Sequence, residues 1–142
     1  MQITRQADYA LRAMLFLAHL EPGQRAATSQ IAEVQRIPPS FLAKIISQLS
    51  IGGLIHTSRG ARGGVSMARP PEQISVLEVV EAIDGPISLN ECQTNGGACP
   101  MGEKCPLRSI WCNTQREMVE KLRFTTFSQV MASELEGQTA HA

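Results

Sequence analysis

Cys92, Cys99 and Cys105 stand in the stretch ECQTNGGACPMGEKC at the spacing C-x6-C-x5-C, among Gly96, Gly97 and Gly102. Four chemistries suit clustered thiols. A structural disulfide is disfavoured in a reducing compartment, and a cytoplasmic chain is expected from the missing basic-apolar-small leader at the N-terminus. Structural zinc favours cysteine pairs two to four residues apart, and no C-x-x-C occurs. A catalytic cysteine wants a base. His19, His56 and His141 fall in the first helix, the first wing strand and the tail, away from the cysteine loop in sequence. An iron–sulfur cluster wants thiolates converging from a flexible segment, where glycines let backbone N–H groups approach the sulfurs. Pro106 suits the first turn of a helix, which would make Cys105 its N-cap and favour the thiolate there. Cys112 lies seven residues further on, about 10 Å along that helix at 1.5 Å per residue. That is awkward for one compact cluster, so Cys112 reads as a small packing residue and a fourth ligand must come from elsewhere.

The elements that would position this loop follow from the hydrophobic pattern. Thr4 caps a helix to about Leu20, with Ala7, Ala10, Leu11, Met14, Leu15 and Ala18 on one face. Thr28 caps a short helix over 29–34, and Pro38-Pro39 break the chain and start another. Phe41, Leu42, Ile45, Ile46 and Leu49 give that third helix its inner side, and Gly52-Gly53 close it. Residues 54–58 and 65–69 read as a hairpin around RGARGG. Ser75 caps a helix to about Asp84, stopped by Gly85. A long helix over 106–124 carries the stripe Leu107, Trp111, Thr114, Met118 and Leu122, followed by a short helix over 126–135.

The fold class expected is mainly α with a small β-hairpin wing: a winged helix-turn-helix domain over 1–85, a cluster-binding loop over 86–106, a long dimerisation helix with a short terminal helix over 107–135, and a flexible tail over 136–142. Composition agrees with a globular chain, at 43% hydrophobic and 18% charged. Its longest apolar stretch is too short to cross a bilayer, so no membrane partner is expected. Net charge is zero overall but split: residues 1–70 hold eight Lys/Arg against three Asp/Glu, and residues 71–142 hold five against ten. A basic half beside an acidic half suits contact with a polyanion. The third helix offers Ser40, Ala43, Lys44, Ser47 and Gln48 on its outer face, small and polar enough for a major groove. Thr28, Pro39, Ser40, Lys44, Arg59 and Arg62 are the expected DNA contacts, the two arginines from the wing tip. A symmetric dimer would present two such readers to a palindromic operator in double-stranded DNA.

With these residues in place, the chain resembles the IscR/NsrR/RirA family of bacterial iron–sulfur transcription regulators. The resemblance runs from MQITRQADYALRAM through IPPSFLAKIISQL, GGLIHTSRGARGGVSMARP and VLEVVEAIDG to the cysteine loop. It implies a homodimeric regulator, a repressor in type, that answers iron, nitric oxide or redox state, with the cluster near the dimer interface. Two departures stand out. The IscR type has a histidine ligand three residues after the third cysteine, where this chain has Arg108, which cannot ligate. The first cysteine spacing is also one residue longer than is usual in that type. The NsrR type instead resembles this chain at Asp8. There the resemblance implies that Asp8 of the partner subunit completes a four-iron cluster (4Fe-4S), with a two-iron cluster (2Fe-2S) as the other form. Asp8 could equally be a surface residue paired with Arg12 at i,i+4. The alternative function is a metal-carrying interaction or assembly module that does not bind DNA. An enzyme is not expected, because no acid–base constellation is present.

Overall fold

The computed structural model describes residues 2–90 and 100–140, so Cys92, Cys99 and His141 lie outside the described residues. Six α-helices and one two-stranded antiparallel hairpin make up the described fold: α1 Arg5–Ala18, α2 Thr28–Gln35, α3 Pro39–Ile51, β1 Ile55–Ser58, β2 Gly64–Met67, α4 Val76–Asp84, α5 Arg108–Phe124 and α6 Phe127–Ala140. This is the expected class, mainly α with a β-hairpin wing.

Helix α1 starts where Thr4 predicts. The Thr4 side chain accepts the Ala7 N–H, while its own hydroxyl and N–H donate to Asp84 at the end of α4. Its buried residues are Ala7, Ala10, Ala13, Met14, Leu17 and Ala18. Leu11 and Leu15, expected on the inner face, sit at its edge and are only partly buried. Alanines at the centre of the face let α3 and α4 approach closely. The larger side chains of Ile31, Leu42, Ile45, Leu49, Ile74 and Val79 then fill the core. Each full burial of such a side chain contributes about 1.5–3 kcal/mol.

Helix α2 ends in a Schellman arrangement. The Ile37 N–H reaches the Ala32 carbonyl at 2.9 Å, and both residues are buried. Arg36 occupies the left-handed position there, at φ 53° and ψ 48°, where glycine is the usual residue. The wing pairs Ile55 with Met67 and Ser58 with Gly64. Ala26 adds a bridge to Val65 on the other side of β2, and Arg25 donates to the Ser58 hydroxyl at 2.8 Å.

Ser75 and Glu78 form a capping box at the start of α4, and Arg69, just beyond β2, reaches Glu78 at 2.7 Å. Partial burial pushes the Glu78 carboxyl up. Hydrogen bonds from Arg69 and Ser75 and the Arg69 charge outweigh that and leave it below the ordinary value of 4.5.

Helix α6 differs from the sequence expectation. Phe127 opens α6 and is the largest fully buried side chain among the described residues, so the start of α6 packs into the core around α1. Backbone bonds from Val76 N–H to Thr125 O and from Phe127 N–H to Ile74 O fix that return. Helix α6 also continues to Ala140, across residues expected in a flexible tail.

Candidate nucleic-acid interface and cysteine segment

The turn between α2 and α3 places the α3 N-terminus at the surface. Pro39 supplies the first residue of α3, where its missing N–H loses no hydrogen bond. Pro39, Ser40 and Lys44 are exposed, as are Arg59 and Arg62 on the wing turn. An open cleft of about 990 Å³ runs between α2, α3 and the wing, and it brings Thr28, Pro39 and Arg59 together over a floor that includes Leu42 and Ala43. Ser40, Lys44 and Arg62 lie outside its lining.

Three details depart from the sequence reading. Thr28 is the first residue of α2 rather than its cap; Ala27 holds the cap position and makes no side-chain bond. Phe41 is 44% exposed and leaves the core to meet the Tyr9 ring, at 6.2 Å between centroids. Gln48 turns its Oε1 inward, where it is buried without a hydrogen-bond partner among the described residues, so it does not join the outer face of α3. Helical spacing alone does not contain these orientations.

Arg12 makes the pair with Asp8 that the sequence allowed and two contacts that the sequence reading missed. Its Nη1 donates to the Gln35 carbonyl at 2.9 Å, at the C-terminal end of α2. Its Nε lies 3.2 Å from the Asp8 carboxylate, and its guanidinium sits 4.8 Å from the centre of the Tyr9 ring. The i,i+4 spacing of Asp8 and Arg12 signals the ion pair. Nothing in the spacing signals the reach to Gln35, which depends on how α1 crosses α2.

Cys105 and Cys112 are both partly buried. Helix α5 begins at Arg108, later than expected, because Pro106 and Leu107 form a turn. Cys105 is therefore not the N-cap. It has extended backbone after the 3-10 turn Gly102–Lys104, and its carbonyl accepts the Arg108 N–H at 3.2 Å. Cys105 thus lies before the helix rather than in it. Asp8 offers a carboxylate whose side chain is 60% exposed. A partly buried cysteine and an exposed carboxylate are of the donor types, thiolate and oxygen, that an iron–sulfur cluster takes. No group of three His, Cys, Asp or Glu side chains converges among the described residues, from which Cys92 and Cys99 are missing.

The apolar stripe of α5 is divided. Met118 and Leu122, with Val119, pack on Leu77, Val80 and Ile87 of the same chain. Leu107, Ile110 and Trp111 at the other end are exposed. No helix among the described residues is long and apolar enough to cross a membrane.

Residues 3–133 match the Rrf2 family, described as an iron-dependent transcriptional regulator. Rv1287 of Mycobacterium tuberculosis, named as an HTH-type transcriptional regulator, is 33% identical over 135 residues, spanning 95% of this chain and 84% of that one. The HTH-type transcriptional regulator NsrR of Shouchella clausii is 34% identical over 113 residues, 78% of this chain and 74% of that one. Among solved structures, CymR, described as the global cysteine regulator of B. subtilis, superposes with a TM-score of 0.81 at 24% identity, over 94% of this chain and 98% of that one. IscR of T. potens gives 0.75, also at 24% identity, over 97% and 91%. At that identity these two likenesses show the winged-helix fold alone.

Proposed function

The chain belongs to the Rrf2 family of transcriptional regulators, and from that premise we propose that it is a homodimer that senses iron, nitric oxide or redox state through an iron–sulfur cluster and adjusts its hold on a palindromic operator. The observation that carries the DNA-binding arm is the cleft that sets Thr28 and Pro39 opposite Arg59, beside the exposed face of α3. A duplex edge entering there meets short polar side chains on α3 and guanidinium groups from the wing, which pair with phosphate oxygens. Family membership speaks against the alternative of a metal-carrying module without DNA binding, and the relatives named as transcriptional regulators give no support to an enzyme.

The sensing arm rests on the cysteine segment and not on the fold, because the same fold serves a protein described as a cysteine regulator. Cys92, Cys99 and Cys105 would hold the cluster, and Asp8 of the partner subunit would complete it as an oxygen ligand. Oxygen binds such iron less firmly than thiolate and yields its place sooner. When bound, the cluster supplies iron that reacts with nitric oxide or oxygen. The exposed Leu107, just before α5, and Ile110 and Trp111 on it support pairing with a second copy that brings its own α1 to the loop.

The test is protein purified without oxygen, assayed for visible absorption, iron and acid-labile sulfide. About four of each per chain is the expected result, and about two would indicate the smaller cluster. Cys99→Ala should lose them and leave DNA binding unresponsive to nitric oxide. A colourless wild-type protein without iron would refute the sensing arm and leave the DNA arm standing. For that arm, Arg59→Ala should weaken binding to a duplex selected from a random pool and reduce the salt slope by about one. An unchanged slope would remove Arg59 from the interface.

A further inference from the structure

We propose that the cavity between the end of α1 and the end of the wing is a binding site for an aliphatic diamine. Its volume is about 470 Å³, within the roughly 300–1,000 Å³ of small-molecule sites. The walls are the last turn of α1, the loop 21–24, the end of β2 and the 3-10 turn Pro71–Gln73. Leu17, Leu20 and Met67 give it an apolar lining. Local bonds hold the walls. The Gln24 N–H donates to the Glu21 carbonyl at 2.9 Å, and the Glu21 N–H donates to Gln24 Oε1 at 3.0 Å. Pro70 and Pro71 fix the backbone of another wall, where the Gln73 N–H returns to the Pro70 carbonyl at 2.9 Å. The shape of the site therefore does not wait for a ligand. None of its residues is assigned to DNA or to the cluster.

Charge sets the class of ligand. Glu21 and Glu72 line the cavity, are exposed, and enter no ion pair among the described residues. Arg69 is the cation of the lining, and it is already engaged. It lies 2.7 Å from Glu78, which is outside the lining, and its Nη1 donates to the Gln73 carbonyl at 3.2 Å. Two uncompensated carboxylates remain. Ala18, the last residue of α1, also lines the cavity. Pro22, four residues on, has no N–H to return to the Ala18 carbonyl, and no other donor meets that carbonyl among the described residues. The partial negative end of the α1 dipole lies there too and favours a cation. The two carboxylates come from different walls, and the lining they share is apolar. A protonated diamine has the matching order of charge, hydrocarbon and charge. A single ammonium would leave one carboxylate unpaired, and a dicarboxylate would meet like charge.

The test titrates diaminopentane into the full chain at low salt, with ionic strength matched by potassium chloride. The methyl signals of Met67 and Leu20 in carbon-edited NMR spectra report the place, and calorimetry reports the affinity. Saturable shifts at both methyls are the expected result. Pentanediol, of the same length without charge, should bind at least about tenfold more weakly. Glu21→Gln and Glu72→Gln should each weaken the diamine about threefold to fivefold, the scale of an exposed ion pair, and together about tenfold or more. Both positions are exposed, so the variants should melt where the wild type does. Pentylamine on the wild-type chain makes the same comparison without a substitution, and it should bind about threefold to fivefold more weakly than the diamine. Absence of a saturable shift at Met67 and Leu20, equal binding of pentanediol, or wild-type affinity in the double variant would each overturn the site. Shifts confined to residues elsewhere in the chain would mean general attraction to its acidic surface and would overturn it as well.

Discussion

Replacing Gly63 with alanine should disable the wing without unfolding the protein. A Cβ on Gly63 would stand 2.3 Å from the Ser58 carbonyl oxygen and 2.7 Å from the Arg59 carbonyl carbon. Both are backbone atoms, so no side-chain rotation relieves the clash. Reaching van der Waals contact requires the turn to open by roughly 1 Å, which breaks the Ser58–Gly64 end of the ladder. Overpacking of this kind costs about 1–3 kcal/mol. The loss should stay local, because the hairpin's core residues, Ile55 and Val65, lie below the turn and Val65 is also held by Ala26. Melting should therefore shift by only a few degrees, as about 1 kcal/mol moves a chain of this size by roughly 2–5 °C. DNA binding should suffer more. Arg59 and Arg62 flank the tip, and losing two phosphate contacts reduces the salt slope by about 1.8. Titrations of the selected duplex at several salt concentrations measure that slope. Gly60→Ala is the contrast: φ is +97° but nothing lies within 4 Å, so it carries backbone strain without a clash. A wild-type slope and affinity in Gly63→Ala, with the clash evident as lost stability, would refute the placement of the wing arginines on DNA.

The pair Arg69–Glu78 should make stability depend on acid. The Glu78 carboxyl is held below its ordinary 4.5, so its contribution is complete above that pH and is lost as pH falls through the lower folded value. Glu78→Gln keeps a capping-box acceptor but drops the charge. Discounted for a side chain 40% exposed, it should lose about 0.5 kcal/mol at neutral pH, with the gap to wild type closing below pH 4.5 in urea titrations; a pH-independent gap would contradict the linkage. Arg36→Gly should stabilise the chain by about 0.5–1 kcal/mol, since glycine takes the left-handed position without steric penalty. A fall in the urea midpoint would show that the Arg36 side chain contributes more than its backbone strain removes.

Local signals fixed much of this protein in its sequence. Thr4, the Pro38-Pro39 break, the Ser75–Glu78 box and Gly85 act within a few residues of themselves, and each helix boundary they mark occurs where it is expected. Helical spacing identified Leu42, Ile45, Ile46 and Leu49 as the buried side of α3, and the Gly-rich turn of the wing needs Gly63 for a contact only its own backbone makes. Cys92 and Cys99 lie outside the described residues, so their part of the site rests on spacing and resemblance. What the sequence could not decide depends on how helices cross. The return of Phe127 into the core, the inward turn of the Gln48 amide, the escape of Phe41 to Tyr9 and the reach of Arg12 to Gln35 all join residues from different elements. The long stripe of α5 shows the same division: periodicity found its apolar residues, but only the docking of α4 determined that Met118 and Leu122 serve this chain and left Leu107, Ile110 and Trp111 in solvent. Periodicity reports which side of a helix avoids water, whereas the partner that covers it is set by packing in three dimensions.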